Sequence, residues 1–327
     1  MTRPGIRSLA VALLALLGCA PAPRLSAPPL SPPQDTGTGW IEGAEHVRLF
    51  TSTRIPAAPV RGVVWLVVGP EVGSAPLYPR LTTALGAGGF VVATVHPRGA
   101  GYSSGDRGDI GDYALVLSDY ARFRQHLRSR FPGAPLFLLG HSAGGPLALE
   151  VAARAPGEID GVVLVNPAYK LIYAEGMGPS TCDYVVYALR YLFTPEEPAV
   201  DMNSHAEAVR FAEDRAEALA MQQDPLVVRY FSMRYLFAQK GIMDSAAQNA
   251  ARLDTPLLLV EGAHDALVDP KGNDELFRAA RSRDRKRLIA PDGGHGSSAV
   301  ETQVEAIVAW LAAHAGGDPK PINREGG

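Results

Sequence analysis

The sequence predicts an α/β fold, built on a mostly parallel sheet with helices on both faces. Short apolar segments alternate along the chain with stretches of helical periodicity, as expected of such a fold. Six segments have the uninterrupted, β-branched character of strands that are covered on both faces: 62–68, 89–95, 135–139, 160–166, 256–262 and 286–290. The segment 41–61 precedes them and is expected to form an antiparallel hairpin at the sheet edge.

One segment between the predicted strands has a clear helical pattern. In 112–133, Tyr113, Leu117 and Tyr120 recur at the spacing of one helical face. Asp112 stands where its side chain can cap the first turn. A helix that packs one apolar face against the sheet is therefore expected here.

The alternation breaks once, over residues 168–251. This segment has no convincing strand and contains three stretches of helical pattern, 183–193, 205–223 and 225–239. We expect a helical cap over the carboxyl edge of the sheet, where such folds place their sites. The aromatic residues of the cap should mostly form its core, with some lining an apolar pocket: Tyr184, Tyr187, Tyr191, Phe193, Tyr230, Phe231, Tyr235 and Phe237.

The length and composition are those of one large globular domain with an insertion. The chain has 327 residues, of which 46% are hydrophobic and 20% charged. Its net charge of −3 and its lack of a basic stripe with interleaved aromatic residues argue against a nucleic-acid partner. The core is expected to comprise 40–167 and 252–316, followed by a disordered tail at 317–327.

The amino terminus has the pattern of a secretory signal. Arg3 and Arg7 precede an apolar run at 9–19, which is too short to span a bilayer. The run ends in Cys19, and its last four residues resemble the lipobox of bacterial lipoproteins, although Leu17 departs from the usual small residue. We therefore expect residues 1–19 to be a signal peptide and Cys19 to be lipidated.

Lipidation would anchor the protein in the bacterial cell envelope, in the outer membrane or periplasm. Ordinary secretion is the alternative. Residues 20–39 are rich in proline and poor in bulky apolar side chains, which is typical of an extended tether. With Cys19 acylated, Cys182 is the one remaining cysteine, so no intramolecular disulfide is possible. Cys182 is expected to be buried as a small apolar residue.

Two serines fit the pattern G-x-S-x-G. Ser142 follows the predicted strand 135–139 directly and precedes a helical stretch, so it occupies a sharp strand-to-helix turn. Ser103 lies in a glycine-rich segment with no helix after it. The backbone N–H of Ala143 would stand at a helix amino terminus and could stabilise an oxyanion. Ser142 is therefore the predicted nucleophile.

A serine nucleophile needs a base and a carboxylate that orients the base. Asp265 follows the predicted strand 256–262 in a loop and is the expected acid, with Asp269 as the alternative; Glu261 should still belong to the strand. His295 lies in a glycine-rich loop after the last predicted strand and is the expected base. The chain order serine, acid, histidine is that of α/β-hydrolases.

The chain resembles the α/β-hydrolase superfamily, specifically the monoacylglycerol lipase and lysophospholipase-like, or serine aminopeptidase-like, group. The resemblance rests on R-G-x-G-x-S at 98–103, on F-P-x-x-P-x-F-L-L-G-H-S-x-G-G at 131–145, on QDPL at 223–226 and on GAHDALVDPKG at 262–272. It implies the α/β-hydrolase fold with a mobile helical cap, an apolar acyl tunnel, and no cofactor or metal.

Two departures from the family pattern affect the prediction. The family has His-Gly after its third strand, and the residue after the glycine donates an oxyanion-hole N–H. Here Pro70 follows Gly69, and proline has no N–H. Either one donor is missing, or a shifted loop uses another group such as the N–H of Glu71. The second departure is His96, which replaces the family's aspartate and is expected to have a structural role.

The predicted function is hydrolysis of lipid-like carboxylic esters, such as monoacylglycerols or lysophospholipids, through an acyl-enzyme. A peptidase, a thioesterase or an acyltransferase could use the same three residues. An alternative of another class is an impaired hydrolase fold that serves as a surface binding lipoprotein. The doubtful oxyanion hole favours that alternative, and the intact order of Ser142, Asp265 and His295 argues against it.

Overall fold

An eight-stranded sheet lies at the centre of the computed structural model, which describes residues 30–35, 37–69, 72–73, 78–172, 181–201 and 215–316. Two further strands, β7 and β8, form a separate antiparallel pair. The ten strands are β1 (Thr38–Glu42), β2 (Arg48–Arg54), β3 (Gly62–Val67), β4 (Phe90–Val95), β5 (Leu136–His141), β6 (Gly161–Val165), β7 (Pro198–Asp201), β8 (Tyr230–Ser232), β9 (Leu257–Gly262) and β10 (Arg285–Ala290).

The order of strands in the large sheet is β1-β2-β4-β3-β5-β6-β9-β10. All neighbours from β4 to β10 are parallel, whereas β1 and β2 are antiparallel to each other and β2 is antiparallel to β4. Every residue of β3, β4 and β6 is buried, because helices cover both faces of the sheet. The predicted parallel sheet and its antiparallel edge hairpin are confirmed.

The helices are α1 (Pro79–Ala87), α2 (Tyr113–Arg130), α3 (Gly144–Ala153), α4 (Thr181–Phe193), α5 (Arg215–Gln223), α6 (Met233–Ala250), α7 (Pro270–Ala279), α8 (Ser297–Glu301) and α9 (Val304–His314). Side chains of α2, α3, α6 and α7 share one core cluster, and those of α1, α8 and α9 share the other. These clusters are the two apolar layers expected of a sheet covered on both sides. Asp112 caps α2 as predicted, since its carboxylate accepts a hydrogen bond from the N–H of Ala114 at 2.9 Å.

The inserted segment contains two features that its sequence pattern did not indicate. The strands β7 and β8 pair within it, and the predicted helix 225–239 begins only at Met233. Ser232 caps that helix, because its hydroxyl accepts a hydrogen bond from the N–H of Tyr235 at 3.2 Å. The β-branched and aromatic residues before Ser232 favour extended backbone, and pairing with β7 uses their hydrogen-bonding groups.

The burial of the cap differs from the prediction. None of the residues of α4 is buried, and four of the eight aromatic side chains expected in the cap core are exposed: Tyr184, Tyr191, Phe193 and Phe237. Cys182 at the start of α4 is exposed as well, so its predicted burial is wrong. The sequence shows which side chains are apolar, but burial depends on whether another element packs against them.

Several predicted boundaries fall at the limits of the described residues. Strand β1 begins at Thr38, inside the predicted tether 20–39. The predicted signal peptide with Cys19 and the predicted tail 317–327 lie outside the described residues. Within the part of the chain that the structure describes, no helix is long and apolar enough to cross a membrane.

Candidate active site

Ser142 lies in the turn between β5 and α3. Its φ of 50° is in the left-handed region, which is uncommon for a residue other than glycine. The turn is possible only with glycines around it, since a Cβ on Gly140 would lie 2.2 Å from the carbonyl oxygen of Gly144. A Cβ on Gly144 would lie 2.1 Å from the carbonyl oxygen of Val67. The glycines thus allow strand and helix to approach closely, as predicted for a nucleophile turn.

The structure brings the three residues predicted for nucleophilic catalysis into one hydrogen-bonded chain. The hydroxyl of Ser142 lies 2.8 Å from Nε2 of His295. On the other side of the ring, Nδ1 of His295 lies 2.9 Å from Oδ2 of Asp265. Nδ1–H therefore donates to the carboxylate, which leaves Nε2 as the acceptor for the serine hydroxyl. Both His295 and Asp265 are largely buried, at 3% and 7% side-chain exposure.

The carboxylate of Asp265 is held in its ionised form by its surroundings. Burial alone would raise its pKa, but the hydrogen bond and charge of His295 lower the pKa below its usual value. The backbone N–H groups of Leu267 and Val268 contribute in the same direction by donating to Oδ1 at 2.8 and 2.9 Å. An ionised carboxylate at Nδ1 keeps the imidazole in the tautomer that accepts a proton at Nε2.

The two other carboxylates near Asp265 have separate partners. Asp269 caps α7, where its side chain accepts a hydrogen bond from the N–H of Lys271 at 2.9 Å. Glu261 lies in β9, as predicted, and forms an ion pair with Arg287 of β10. In this structure, the carboxylate that contacts the His295 ring is therefore that of Asp265.

The second G-x-S-x-G serine is part of the core. Ser103 is 0% exposed. Its hydroxyl donates to the carbonyl oxygen of His96 at 2.7 Å and accepts from the N–H of Phe50 at 2.9 Å. These bonds tie the loop after β4 to β2, so Ser103 has a structural role.

Of the two groups predicted to form the oxyanion hole, the described residues include one, Ala143. Ala143 immediately precedes α3, and the first N–H groups of a helix have no acceptor within that helix. Its N–H follows Ser142 directly in the chain, and its role as an oxyanion donor stays a prediction. Pro70 and Glu71, the two candidates for the opposite side, lie outside the described residues, which resume at Val72.

Three residues to which the sequence analysis gave no role in the site support the position of His295. Two of them bond to its loop, and the third bonds to His141. His141 lies 2.7 Å, through Nε2, from the carbonyl oxygen of His295, and its Nδ1 lies 2.8 Å from the hydroxyl of Tyr78. The fully buried Asn166 donates from Nδ2 to the carbonyl oxygen of Gly294 at 2.6 Å. Asn166 directly follows β6 at the carboxyl edge of the sheet, and a polar residue in that position was the sequence signal that could have identified it.

His96 has the structural role expected of it. Its Nδ1 accepts a hydrogen bond from the N–H of Tyr102 at 3.1 Å, and its ring stacks on that tyrosine. Burial and the nearby charge of Arg107 lower the pKa of His96 to about 4. His96 is therefore neutral at neutral pH, which the bond from Tyr102 requires.

A mostly apolar cavity of about 30 Å³ adjoins the predicted oxyanion donor. It is lined by residues of α2, α3 and α6 and by Ala143, which directly precedes α3. Its apolar wall is formed by Val68, Ile110, Val116, Leu147, Ala238 and Ile242. Of the cap aromatic residues, Tyr235 lines this cavity, in agreement with the expectation that some would. Ala143, the residue after Ser142, is among the residues that line the cavity.

A polar contact holds the cap against the wall of this cavity. The carboxylate of Asp109, in the loop before α2, accepts hydrogen bonds from the hydroxyl of Ser232 at 2.7 Å and from Nε of Arg234 at 2.6 Å. Both donors stand at the junction of β8 and α6. Because this ion pair is largely buried, it fixes where α6 begins over the cavity.

Comparisons with known proteins agree with this architecture. The family described as "Serine aminopeptidase, S33" (Hydrolase_4) matches residues 58–301. The chain is 28% identical over 277 residues to a monoacylglycerol lipase of Mycolicibacterium smegmatis, covering 83% of this chain and 95% of that protein. It is 29% identical over 202 residues to a human monoglyceride lipase, covering 60% of this chain and 63% of that protein.

Two solved structures have the same fold. A monoacylglycerol lipase of Paleococcus ferrophilus superimposes with a TM-score of 0.68 at 25% identity, over 81% of this chain and 99% of that one. A soluble variant of the monoglyceride lipase of Saccharomyces cerevisiae superimposes with a TM-score of 0.72 at 23% identity, over 87% of this chain and 98% of that one. The α/β-hydrolase fold is thus common to all three.

Proposed function

The chain belongs to the serine aminopeptidase S33 family, and from this premise we propose that it cleaves carboxylic esters of lipid-like substrates through an acyl-enzyme. The family and the relatives establish a hydrolase of the lipase or esterase type. The proposal of a serine nucleophile and an acyl-enzyme rests on the chain of hydrogen bonds from Ser142 through His295 to Asp265. A serine so connected is activated when a base takes its proton.

In the proposed first half-reaction, Oγ of Ser142 attacks the ester carbonyl and Nε2 of His295 takes the serine proton. Asp265 stabilises the resulting imidazolium and keeps the ring oriented. The N–H of Ala143 donates to the oxyanion of the tetrahedral intermediate. Collapse of the intermediate breaks the ester C–O bond, and His295 returns the proton to the leaving alcohol. The acyl group then remains bonded to Ser142.

In the second half-reaction, a water molecule replaces the serine as the nucleophile. His295 takes a proton from the water as its oxygen attacks the acyl carbonyl, and the fatty acid leaves when the bond to Ser142 Oγ breaks. The proton on His295 returns to the serine. Every proton transfer in the proposal passes through Nε2 of His295, and the 2.8 Å distance to Oγ of Ser142 is suitable for the transfers that involve the serine.

The proposed substrates are monoacylglycerols or lysophospholipids. The apolar wall of the cavity beside Ala143 suits an acyl chain, and the relatives that cover most of the chain are monoacylglycerol lipases. The cavity of about 30 Å³ is smaller than an acyl chain, so the proposal includes a widening of the cavity by an outward shift of α6 when the chain enters. The contacts of Asp109 with Ser232 and Arg234 would limit that movement at the start of α6.

Labelling with a fluorophosphonate probe tests the nucleophile. We expect the wild-type protein to be labelled and Ser142→Ala to remain unlabelled, because the probe reacts only with an activated serine. Ser103→Ala is the matched control and should still be labelled, although the loss of its two buried hydrogen bonds should destabilise it by about 1–3 kcal/mol. Absence of labelling on folded wild-type protein would favour the surface binding role over the enzyme.

Substrate profiling tests the reaction class. Monoacylglycerols and lysophospholipids should be hydrolysed faster than aminoacyl anilides and acyl thioesters of matched size. Addition of an alcohol to the reaction distinguishes an acyltransferase, since a transferase would form a new ester where a hydrolase releases the fatty acid. Faster cleavage of the anilides would assign a peptidase to this site.

The cellular location is part of the same proposal. Lipidation of Cys19 would hold the hydrolase at the envelope membrane, where its substrates occur, and ordinary secretion is the alternative. Growth with a clickable palmitate analogue should label the wild-type protein in membrane fractions. Cys19→Ser should lose the label, and a label that persists in this variant would refute anchoring at that residue.

A further inference from the structure

Asn166 lies where the segments that carry the three candidate catalytic residues meet. It directly follows β6, is fully buried and has a φ of 41°, in the left-handed region. Glycine adopts this backbone conformation most readily, because it has no Cβ. What asparagine adds at this position is therefore its side-chain amide.

The backbone on either side of Asn166 is bonded to the nucleophile turn. The N–H of Ser142 donates to the carbonyl oxygen of Val165 at 3.0 Å. The carbonyl oxygen of Ser142 accepts a hydrogen bond from the N–H of Ala168, also at 3.0 Å. These two bonds fix Ser142 relative to the backbone from which the side chain of Asn166 projects.

The amide of Asn166 joins the two segments that carry the acid and the base. Its Oδ1 accepts a hydrogen bond from the N–H of Gly262, the last residue of β9, at 2.8 Å. Its Nδ2 donates to the carbonyl oxygen of Gly294, the residue directly before His295, at 2.6 Å. Because both partners are backbone groups, one a donor and the other an acceptor, they determine the orientation of the amide. One side chain thus connects both segments.

The acid and base segments approach each other closely at the residues that this amide binds. A Cβ on Gly262 would lie 2.2 Å from the carbonyl oxygen of Gly294. The carbonyl oxygen of Gly262 also accepts from the N–H of Asp265 at 3.2 Å, which closes the turn that leads to the acid. A displacement at Gly262 or Gly294 would therefore change the 2.9 Å distance between Oδ2 of Asp265 and Nδ1 of His295.

We propose that Asn166 is a positioning residue whose amide holds the acid and the base in the correct geometry relative to the nucleophile. The inference rests on the proposed function, because it takes Ser142, Asp265 and His295 as the catalytic residues. Asn166 acts through the two backbone groups that its amide binds. Loss of the amide releases the acid and base segments from each other, while the backbone bonds to Ser142 remain.

Asn166→Gly tests this role, because it removes the amide and suits the left-handed backbone. A misplacement of about 1 Å can cost about a hundredfold in rate, so we expect kcat for a monoacylglycerol to fall by about tenfold to a hundredfold with KM nearly unchanged. Ser103→Ala is the matched control, because Ser103 is equally buried and its side chain also joins two backbone groups. This control should have a lower melting temperature but retain the wild-type kcat.

Asn166→Asp adds a pH profile as a second measurement. When protonated, the introduced carboxyl has the shape of the amide and can donate to the carbonyl oxygen of Gly294. When ionised, it places a negative charge against that oxygen. Because burial raises the pKa of such a carboxyl, the kcat of the variant relative to wild type should be highest at about pH 6 and fall at least about tenfold by about pH 9. The titratable groups on the segments around Asn166 are common to both proteins: His141, Glu261, His264, Asp265, Asp292 and His295.

Two results would overturn the positioning role. One is an Asn166→Gly variant that melts at a lower temperature but keeps the wild-type kcat, and the other is a relative kcat of Asn166→Asp that does not change with pH. Turnover by the wild-type protein separates this failure from that of the proposed function. Unchanged kinetics in variants of an active protein refute the role of Asn166 alone, whereas a wild-type protein without turnover or probe labelling refutes the hydrolase and this role with it.

Discussion

The backbone carbonyl of His295 accepts a hydrogen bond from Nε2 of His141, the residue directly before Ser142, at 2.7 Å. Because a carbonyl only accepts, Nε2 carries the proton and Nδ1 is free to accept from the hydroxyl of Tyr78 at 2.8 Å. Burial and the neighbouring His295 lower the pKa of His141 to about 4, which keeps the ring neutral. The loop of the candidate base is thereby tied to the nucleophile turn through a second contact besides that of the two side chains.

Replacement of His141 should slow the chemical step. His141→Phe keeps a ring of similar shape but removes the donor to the carbonyl of His295. Because His295 would then be held less firmly beside Ser142, we expect kcat for a monoacylglycerol to fall about tenfold with KM nearly unchanged, which corresponds to about 1.4 kcal/mol of lost transition-state stabilisation. Steady-state kinetics would measure this, and Tyr78→Phe, which leaves the donor to His295 in place, should have a smaller effect. An unchanged kcat in folded His141→Phe would show that this contact does not position the base.

The two buried histidines should make stability dependent on pH. The pKa of His96 and of His141 is lowered from 6.5 to about 4, so in this range the unfolded chain binds protons that the folded protein does not. The free energy of unfolding therefore decreases as pH falls from about 6.5 to about 4, and each histidine contributes at most about 1.4 kcal/mol per pH unit. Asp265 contributes mainly below this range, because its lowered pKa acts only where its unfolded form is protonated.

Denaturant unfolding between pH 7 and pH 4 would measure this slope. His96→Gln removes one of the two groups and should reduce the slope. A slope that is the same in His96→Gln and in the wild-type protein would mean that His96 does not resist protonation in the folded state.

Glycine substitutions should distinguish close packing at the nucleophile turn from ordinary helix geometry. Gly144→Ala would place a Cβ 2.1 Å from the carbonyl oxygen of Val67, so we expect a loss of about 1–3 kcal/mol in unfolding free energy together with loss of probe labelling. Gly86→Ala in α1 meets no atom within 4 Å and should stabilise the protein by about 0.5–1 kcal/mol. Equal stabilities for the two variants in thermal unfolding would contradict the close approach of β3 and α3.

Much of the fold was predictable from local pattern. Uninterrupted apolar runs predicted the strands, and β3, β4, β5, β6 and β9 are buried as expected because both faces of the sheet are covered there. The prediction of burial on both faces is wrong for β10, which lies at the sheet edge with Ala290 as its one buried residue. The glycines around Ser142 and the order of Ser142, Asp265 and His295 indicated the candidate site, since chain order and strand ends determine which loops share an edge.

The features that local sequence pattern could not predict depend on contacts between segments that are far apart in the chain. The helical pattern of α4 did not indicate that its aromatic face would be exposed, and residues 225–232 form no helix because β8 pairs with β7. His141 and Asn166 join the site through bonds to carbonyl groups more than a hundred residues away, and a backbone acceptor leaves no mark in sequence. Periodicity and motif position therefore specified the layers and the candidate nucleophile, whereas the support of the base arises only once the chain is packed, because it depends on distances in space between segments that are remote in sequence.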